Sequence, residues 1–428
     1  MTLSVSILIF SGCMAQTVED EVVKQKNCAD DVLVHYDPVV ESDGTQSVVA
    51  NVRAISLFND TIDTLVFTEP LDGSFSLLQI PCQYLCEEFK IRLKNIVAPV
   101  RLDSADLDGD GTNELILSDI GILYPSDAKR GKVSMIKFNE TTDTFSEHMI
   151  VENLGRITCA EAADLDGDDD LDLTLCEFGH TNGSVGWIEN LGNESWSHHI
   201  LENKSGTIEA IPIDIDGDGD LDIVSVISQL VEEIVVYWND GLGNFESEIL
   251  FKADFDYFGM SSIEIIDFEG DGDLDILFTN GDILDLDVPD DQNLWDFHGL
   301  SLLKNLGQGE FSFQRLLAFS GAYDSKLFDI DGDGIDEIIV IGFRPIIDES
   351  IDYGNNSNIA WLDWNNNSWD PIYPSNSIDI SMISLEIIDL NGDGQEDLIA
   401  ANHDIYKTNN ASRLISIESE IITKCVEI

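Results

Sequence analysis

Six times the chain writes a short acidic segment, Asp-x-Asp-Gly-Asp-Gly-x-x-Asp/Glu or a close variant, followed by an apolar run. The segments begin at Asp106, Asp164, Asp214, Asp267, Asp329 and Asp389. Carboxylates packed this densely repel one another unless a hard cation sits among them. Positions one, three, five and nine offer side-chain oxygens and position seven its backbone carbonyl. Such a loop wraps one ion, and Gly at position four or six permits the tight turn. The candidate ligand sets are Asp106, Asp108, Asp110, Thr112 and Glu114; Asp164, Asp166, Asp168, Asp170 and Asp172; and Asp214, Asp216, Asp218, Asp220 and Asp222. The later three are Asp267, Glu269, Asp271, Asp273 and Asp275; Asp329, Asp331, Asp333, Ile335 and Glu337; and Asp389, Asn391, Asp393, Gln395 and Asp397. Oxygen-only donors favour Ca²⁺ over zinc or copper, and flexible loops rich in carboxylates favour it over Mg²⁺. Up to six Ca²⁺ ions are expected, one per loop.

The competing reading is an EF-hand, which needs a bidentate Glu at position twelve and a helix on each side. Position twelve is Leu117, Leu175, Ser225, Phe278, Val340 or Ala400. The following segments, such as Leu221-Asp-Ile-Val-Ser-Val and Ile338-Ile-Val-Ile, are short, β-branched and apolar. They read as strands, so each loop joins two strands.

The loop starts lie 58, 50, 53, 62 and 60 residues apart. A step of about 50 residues back from Asp106 lands on Ser56, where the outline persists but only Asp60 remains acidic at a ligand position. This is read as a seventh repeat that has lost its metal. Each repeat holds four short strands: Ile157–Ala163, the acidic loop, Leu171–Phe178, then Val185–Asn190, a Gly/Asn turn and Trp196–Leu201. The fold class expected is all-β: a seven-bladed β-propeller of four-stranded antiparallel blades filling residues 29–428.

The loops, together with Asn-x-Gly-x-Gly-x-Phe hairpins such as the one at Asn305, resemble FG-GAP/VCBS repeats of the kind found in the integrin α-chain propeller. The resemblance covers about residues 50–428. It implies seven blades with the metal loops joining first and second strands on one face. Residues 29–50 match poorly; Val32–Tyr36 and Gln46–Val49 resemble outer strands that close the ring with the C-terminal blade.

Residues Thr2–Phe10 form an apolar run too short to span a bilayer and read as a signal segment. Small residues before Cys13 resemble a lipoprotein signal, with Cys13 lipidated and residues 14–28 a tether; simple secretion is the alternative. The expected address is the cell surface or the extracellular medium. Six further cysteines suit an oxidising compartment: Cys159 and Cys176 flank one loop, Cys82 and Cys86 are close, and Cys28 and Cys425 stand at the two ends.

Net charge is −62, and six Ca²⁺ would offset 12 of it, leaving about −50. This acidity argues against nucleic acid or an anionic membrane as partner. Any membrane attachment is through Cys13 alone.

No zinc pattern, nucleophile elbow, phosphate loop or dinucleotide fingerprint occurs, and no catalytic residues are assigned. A non-enzymatic binding or adhesion module is expected, with a protein or glycan ligand on the face opposite the metal loops. Aromatic and basic candidates there include Trp295, Phe297, His298, Phe343, Arg344 and Tyr353 on long connections. Shorter ones bring Tyr124, Arg130, Phe178, His180, Tyr257, Phe258, Tyr323, His403 and Tyr406. The alternatives are a carbohydrate-active propeller, lectin or polysaccharide lyase, and a scaffold subunit of a surface assembly.

Overall fold

The protein is described from a computed structural model. It covers residues 26–41, 48–57, 62–82, 90–139, 142, 144–282, 293–307, 309–343, 357–365, 368–376, 380–404 and 412–427. The expected signal segment with Cys13, most of the expected tether, and Asp60, Cys86, Arg344, Tyr353 and Tyr406 lie outside these residues.

Seven antiparallel sheets make the blades. The N-terminal strand β1 (Lys26–Val40) precedes the first blade, β2 (Asn51–Ile55), β3 (Thr64–Glu69), β4 (Ser74–Gln79) and β5 (Lys90–Lys94). Blade two is β6 (Pro99–Ala105), β7 (Glu114–Asp119), β8 (Gly131–Asn139) and β9 (Thr144–Leu154). Blade three splits its first strand into β10 (Ile157–Cys159) and β11 (Ala162–Ala163), then β12 (Asp172–Glu177), β13 (Ser184–Asn190) and β14 (Trp196–Glu202). Blade four is β15 (Thr207–Ile213), β16 (Asp222–Ser228), β17 (Glu232–Asn239) and β18 (Phe245–Lys252). Blade five is β19 (Met260–Ile266), β20 (Asp275–Asn280), β21 (Gly299–Asn305) and β22 (Phe311–Ala318). Blade six is β23 (Ala322–Phe328), β24 (Glu337–Gly342), β25 (Ile359–Asn365) and β26 (Ser368–Ile372). Blade seven is β27 (Met382–Ile388), β28 (Asp397–Asn402) and β29 (Leu414–Glu427), with β1 as its outer strand.

Strand composition follows radial position. Second strands such as β16 are buried along their whole length, because neighbouring blades cover both sheet faces. A continuous apolar, β-branched run therefore suits them better than alternation. Outer strands such as β18 are largely exposed and polar. Seven apolar clusters form the core, and each joins two adjacent blades. One links Val52, Leu65 and Phe67 of blade one to Ile399, Ala401 and Leu414 of blade seven, so the ring is closed.

Closure comes from the N-terminus. β1 runs antiparallel to β29 from Lys26↔Glu427 to Val40↔Leu414. The expected Val32–Tyr36 strand lies inside β1, which starts ahead of the Ala29 boundary drawn from the sequence. Of the second expected segment, Val48 forms a single bridge to His403, and Gln46 and Ser47 lie outside the described residues.

Candidate functional site

Each acidic loop turns from the first strand of a blade into the second. In the loop at 214, Asp214 accepts from the N–H groups of Gly217 (2.8 Å) and Gly219 (3.1 Å), Asp216 from Asp218, and Asp218 from Asp220. The carboxylates are thus gathered inward by their own backbone. Gly217 and Gly219 hold φ of 76° and 100°, a region that L side chains disfavour. The loop at 164 departs by placing Asp169 at φ 72° where the others carry Gly.

Four loops bring three carboxylates together with one oxygen of each lying within 4.8 Å of the others: Asp106, Asp108 and Asp110; Asp164, Asp166 and Asp172; Asp214, Asp216 and Asp218; and Asp329, Asp331 and Asp333. These groups could hold a metal ion. In the sixth loop Asn391 turns its amide oxygen inward, accepting from Asp393 N–H at 2.9 Å. In the fourth, the Glu269 carboxylate is met by Lys304 Nζ at 2.5 Å.

The residues fit a hard cation. Every donor is an oxygen, and three buried ones, Asp166 Oδ1, Asp222 Oδ2 and Glu337 Oε1, lack a hydrogen-bond partner. Burial pushes the Glu337 carboxyl up to about 8, with Asp331 and Asp363 adding negative field against the one compensating Ile330 N–H. Glu114 is pushed up to about 7 by burial, and Asp172 and Asp222 to about 6. A divalent ion would reverse that field.

Position nine has a second task. Asp172 accepts from Leu165 N–H (3.0 Å) at position two and from Asn190 N–H (2.7 Å) at the end of the third strand. Asp275 repeats this with Phe268 and Asn305. The degenerate first loop keeps the device: Asp63, one position early, accepts from Leu57 N–H at 3.1 Å. The sequence reading credited that loop with Asp60 alone. A one-residue shortening hid the equivalence of Asp63.

The structure also assembles a polar ring that the sequence reading missed. First strands surround the axis and line a cavity of about 640 Å³. Side chains three or five residues ahead of each loop face it, including Arg53, Arg101, Glu161, Glu209, Asp324 and Glu386. Arg101 bridges Glu161 (3.1 Å) and Glu209 (2.6 Å), and Lys326 pairs with Glu264 (2.6 Å). Several carboxylates reach into the next blade: Glu209 accepts from Ile263 N–H, Asp324 from Leu385 N–H and Glu386 from Ala54 N–H. They satisfy backbone groups on the inner edges of blades five, seven and one, which would otherwise be open strand edges. The signal was available as a charged or polar residue three or five places before each loop.

The aromatic candidates divide. Phe258, Phe343, His298 and His403 are buried, and Phe255, Phe258 and Phe297 pack on one another. Tyr124, 69 % exposed, joins Phe178, Tyr323 and Phe343 in lining the cavity. Arg156 stacks over Phe178 at 4.8 Å. Cys159 and Cys176 are disulfide-bonded across β10 and β12, with Cα atoms 5.0 Å apart. Cys82 is also in a disulfide, and the backbone positions of Cys28 and Cys425 pair across β1 and β29.

The FG-GAP-like repeat family matches residues 214–278, which span the third and fourth acidic loops and the strands between them. The chain matches no curated protein.

Proposed function

We propose that this chain, an FG-GAP/VCBS-type repeat β-propeller, is a calcium-stabilised extracellular binding module without catalytic activity. The observation that carries the reading is the convergence of three carboxylates in each of four loops. At the other end of the first strands, the ring presents the cavity and its aromatic lining to a protein or glycan partner. Calcium acts structurally here: it cancels repulsion within each loop and fixes the turn between first and second strands, so the metal-bound chain is the more stable. The −62 charge suits a solvated exterior and disfavours nucleic acid. In the lipid-anchored form, Cys13 alone contacts the membrane.

The test is a thermal melt of chelator-treated chain at low salt, with and without added Ca²⁺, beside the Asp218→Ala variant. Calcium should raise the midpoint, and the variant should lose part of that gain while keeping its β-sheet circular dichroism. An unchanged midpoint contradicts the reading.

A glycan-directed role draws specific support from the cavity, where Arg101, Tyr124 and Tyr323 lie among carboxylates. A glycan array tests for a lectin. Absorbance of an unsaturated product from uronic-acid polymers tests for a lyase.

A further inference from the structure

The six acidic loops share a frame but not their surroundings. Ladder register aligns Leu115 with Ile136, Leu173 with Ile188, Ile223 with Tyr237, Ile276 with Leu303, Ile338 with Leu362 and Leu398 with Ile417. The next residue on each third strand stands beside the loop. Those residues are Lys137, Glu189, Trp238, Lys304, Asp363 and Glu418. One structural position therefore carries a cation twice, an aromatic once and a carboxylate three times.

The contacts follow the charge. Lys137 Nζ bonds Asp108 Oδ2, the position-three oxygen of the loop at 106, at 2.6 Å, and Glu194 at 2.8 Å. Lys304 bonds Glu269, which holds the same position in the loop at 267. The loops at 267 and 389 lack the three converging carboxylates seen at 106, 164, 214 and 329, the latter because Asn391 replaces a carboxylate. In three of the other four acidic-loop blades the register sets a carboxylate beside the loop instead: Glu189 at the loop at 164, Asp363 at 329 and Glu418 at 389. Glu189 also meets His199 Nε2 at 2.7 Å.

We infer that the charge at this third-strand position grades the calcium affinity of the loops. Those at 164 and 329 bind tightest, those at 214 and 389 next, since the neutral Asn391 offsets Glu418, and those at 106 and 267 weakest. The physical reason is direct. An ammonium group on a ligand carboxylate must be displaced by the ion and then repels it, whereas an added carboxylate attracts it across a few ångströms. The inference rests on the reading that the loops bind calcium.

Calorimetric titration of chelator-stripped full-length chain with CaCl₂ tests it. Unequal affinity classes are expected. Lys137→Gln with Lys304→Gln should tighten the weakest class about tenfold, equivalent to roughly 1.4 kcal/mol. Lys137→Arg with Lys304→Arg, which keeps the charge, should leave that class weak. Asp363→Lys should move one site from the tightest class to the weakest. Six equivalent sites, or a weak class indifferent to loss of the lysine charges, overturn the grading while leaving calcium binding intact. No calcium uptake at all removes the reading beneath it as well.

Discussion

Asn239 ties two blades together: from the end of β17 its Nδ2 donates to the Leu165 carbonyl, in the acidic loop of the preceding blade, at 2.8 Å. The same nitrogen donates to Leu221 in its own blade at 2.9 Å, and Oδ1 accepts from Gly241 N–H. Asn190 repeats the arrangement toward Leu107 and Leu171. Neighbouring acidic loops are thus linked by an amide as well as by apolar packing.

Asn239→Leu should therefore destabilise the ring although it keeps the branched outline of the side chain. The buried Leu165 carbonyl and the partly buried Leu221 carbonyl lose their donor, a loss of about 1–3 kcal/mol. Urea denaturation at fixed calcium concentration measures it. A change near zero would mean that water replaces the amide without cost.

The outer strand of the last blade is supplied by the first strand of the chain. Removing residues 1–40 should expose the edge of β29 along its Leu414–Glu427 length and the Val52–Ile399 core beside it. The truncated chain should melt at lower temperature and associate in size-exclusion chromatography. A monomer with an unchanged midpoint would show that the remaining blades close without β1.

The Cys159–Cys176 bond closes a short loop around the acidic turn at 164. Replacing both residues with Ser should cost about 3 kcal/mol on the chain-entropy account, read by denaturant unfolding. The substitution should also weaken calcium binding at that loop, since the bond fixes both of its flanking strands.

Glu232 supplies a pH dependence away from the acidic loops. Burial, aided by the Asp282 charge, pushes its carboxyl from an ordinary 4.5 up to about 8, against N–H bonds from Met260 and Gly259. Above pH 4.5 the unfolded chain releases a proton that the folded chain still holds. Stability from this group is therefore full at low pH and is lost as pH climbs toward 8. Glu232→Gln should flatten the fall in thermal midpoint between about pH 5 and 8.5. An identical slope in the variant would remove Glu232 as its source.

The repeat architecture was legible because loop and strand signals are local. Six acidic turns marked the repeats, and runs such as Asp222–Ser228 marked fully buried second strands. Two features were not. Asp63 was hidden by a single missing residue, although Leu57 N–H still finds its carboxylate. The axial ring was hidden because Arg101, Glu161 and Glu209 lie on three different blades and meet only when the circle closes. The aromatic candidates show the same limit from the other side. Phe258 and Phe343 have the composition of contact residues, but packing at the blade ends buries them. Sequence pattern reports what a residue is suited to within its own strand, while its neighbours across blades decide what it touches.

Divalent ions held by the oxygen-lined turns are the premise under both the stability argument and the grading of the loops. Elemental analysis of the full-length chain, purified without chelator and exchanged into metal-free buffer, addresses it most directly. Several moles of calcium per mole of chain, removed only by a chelator, is the expected result; a chain that is folded, monomeric and free of calcium would contradict it.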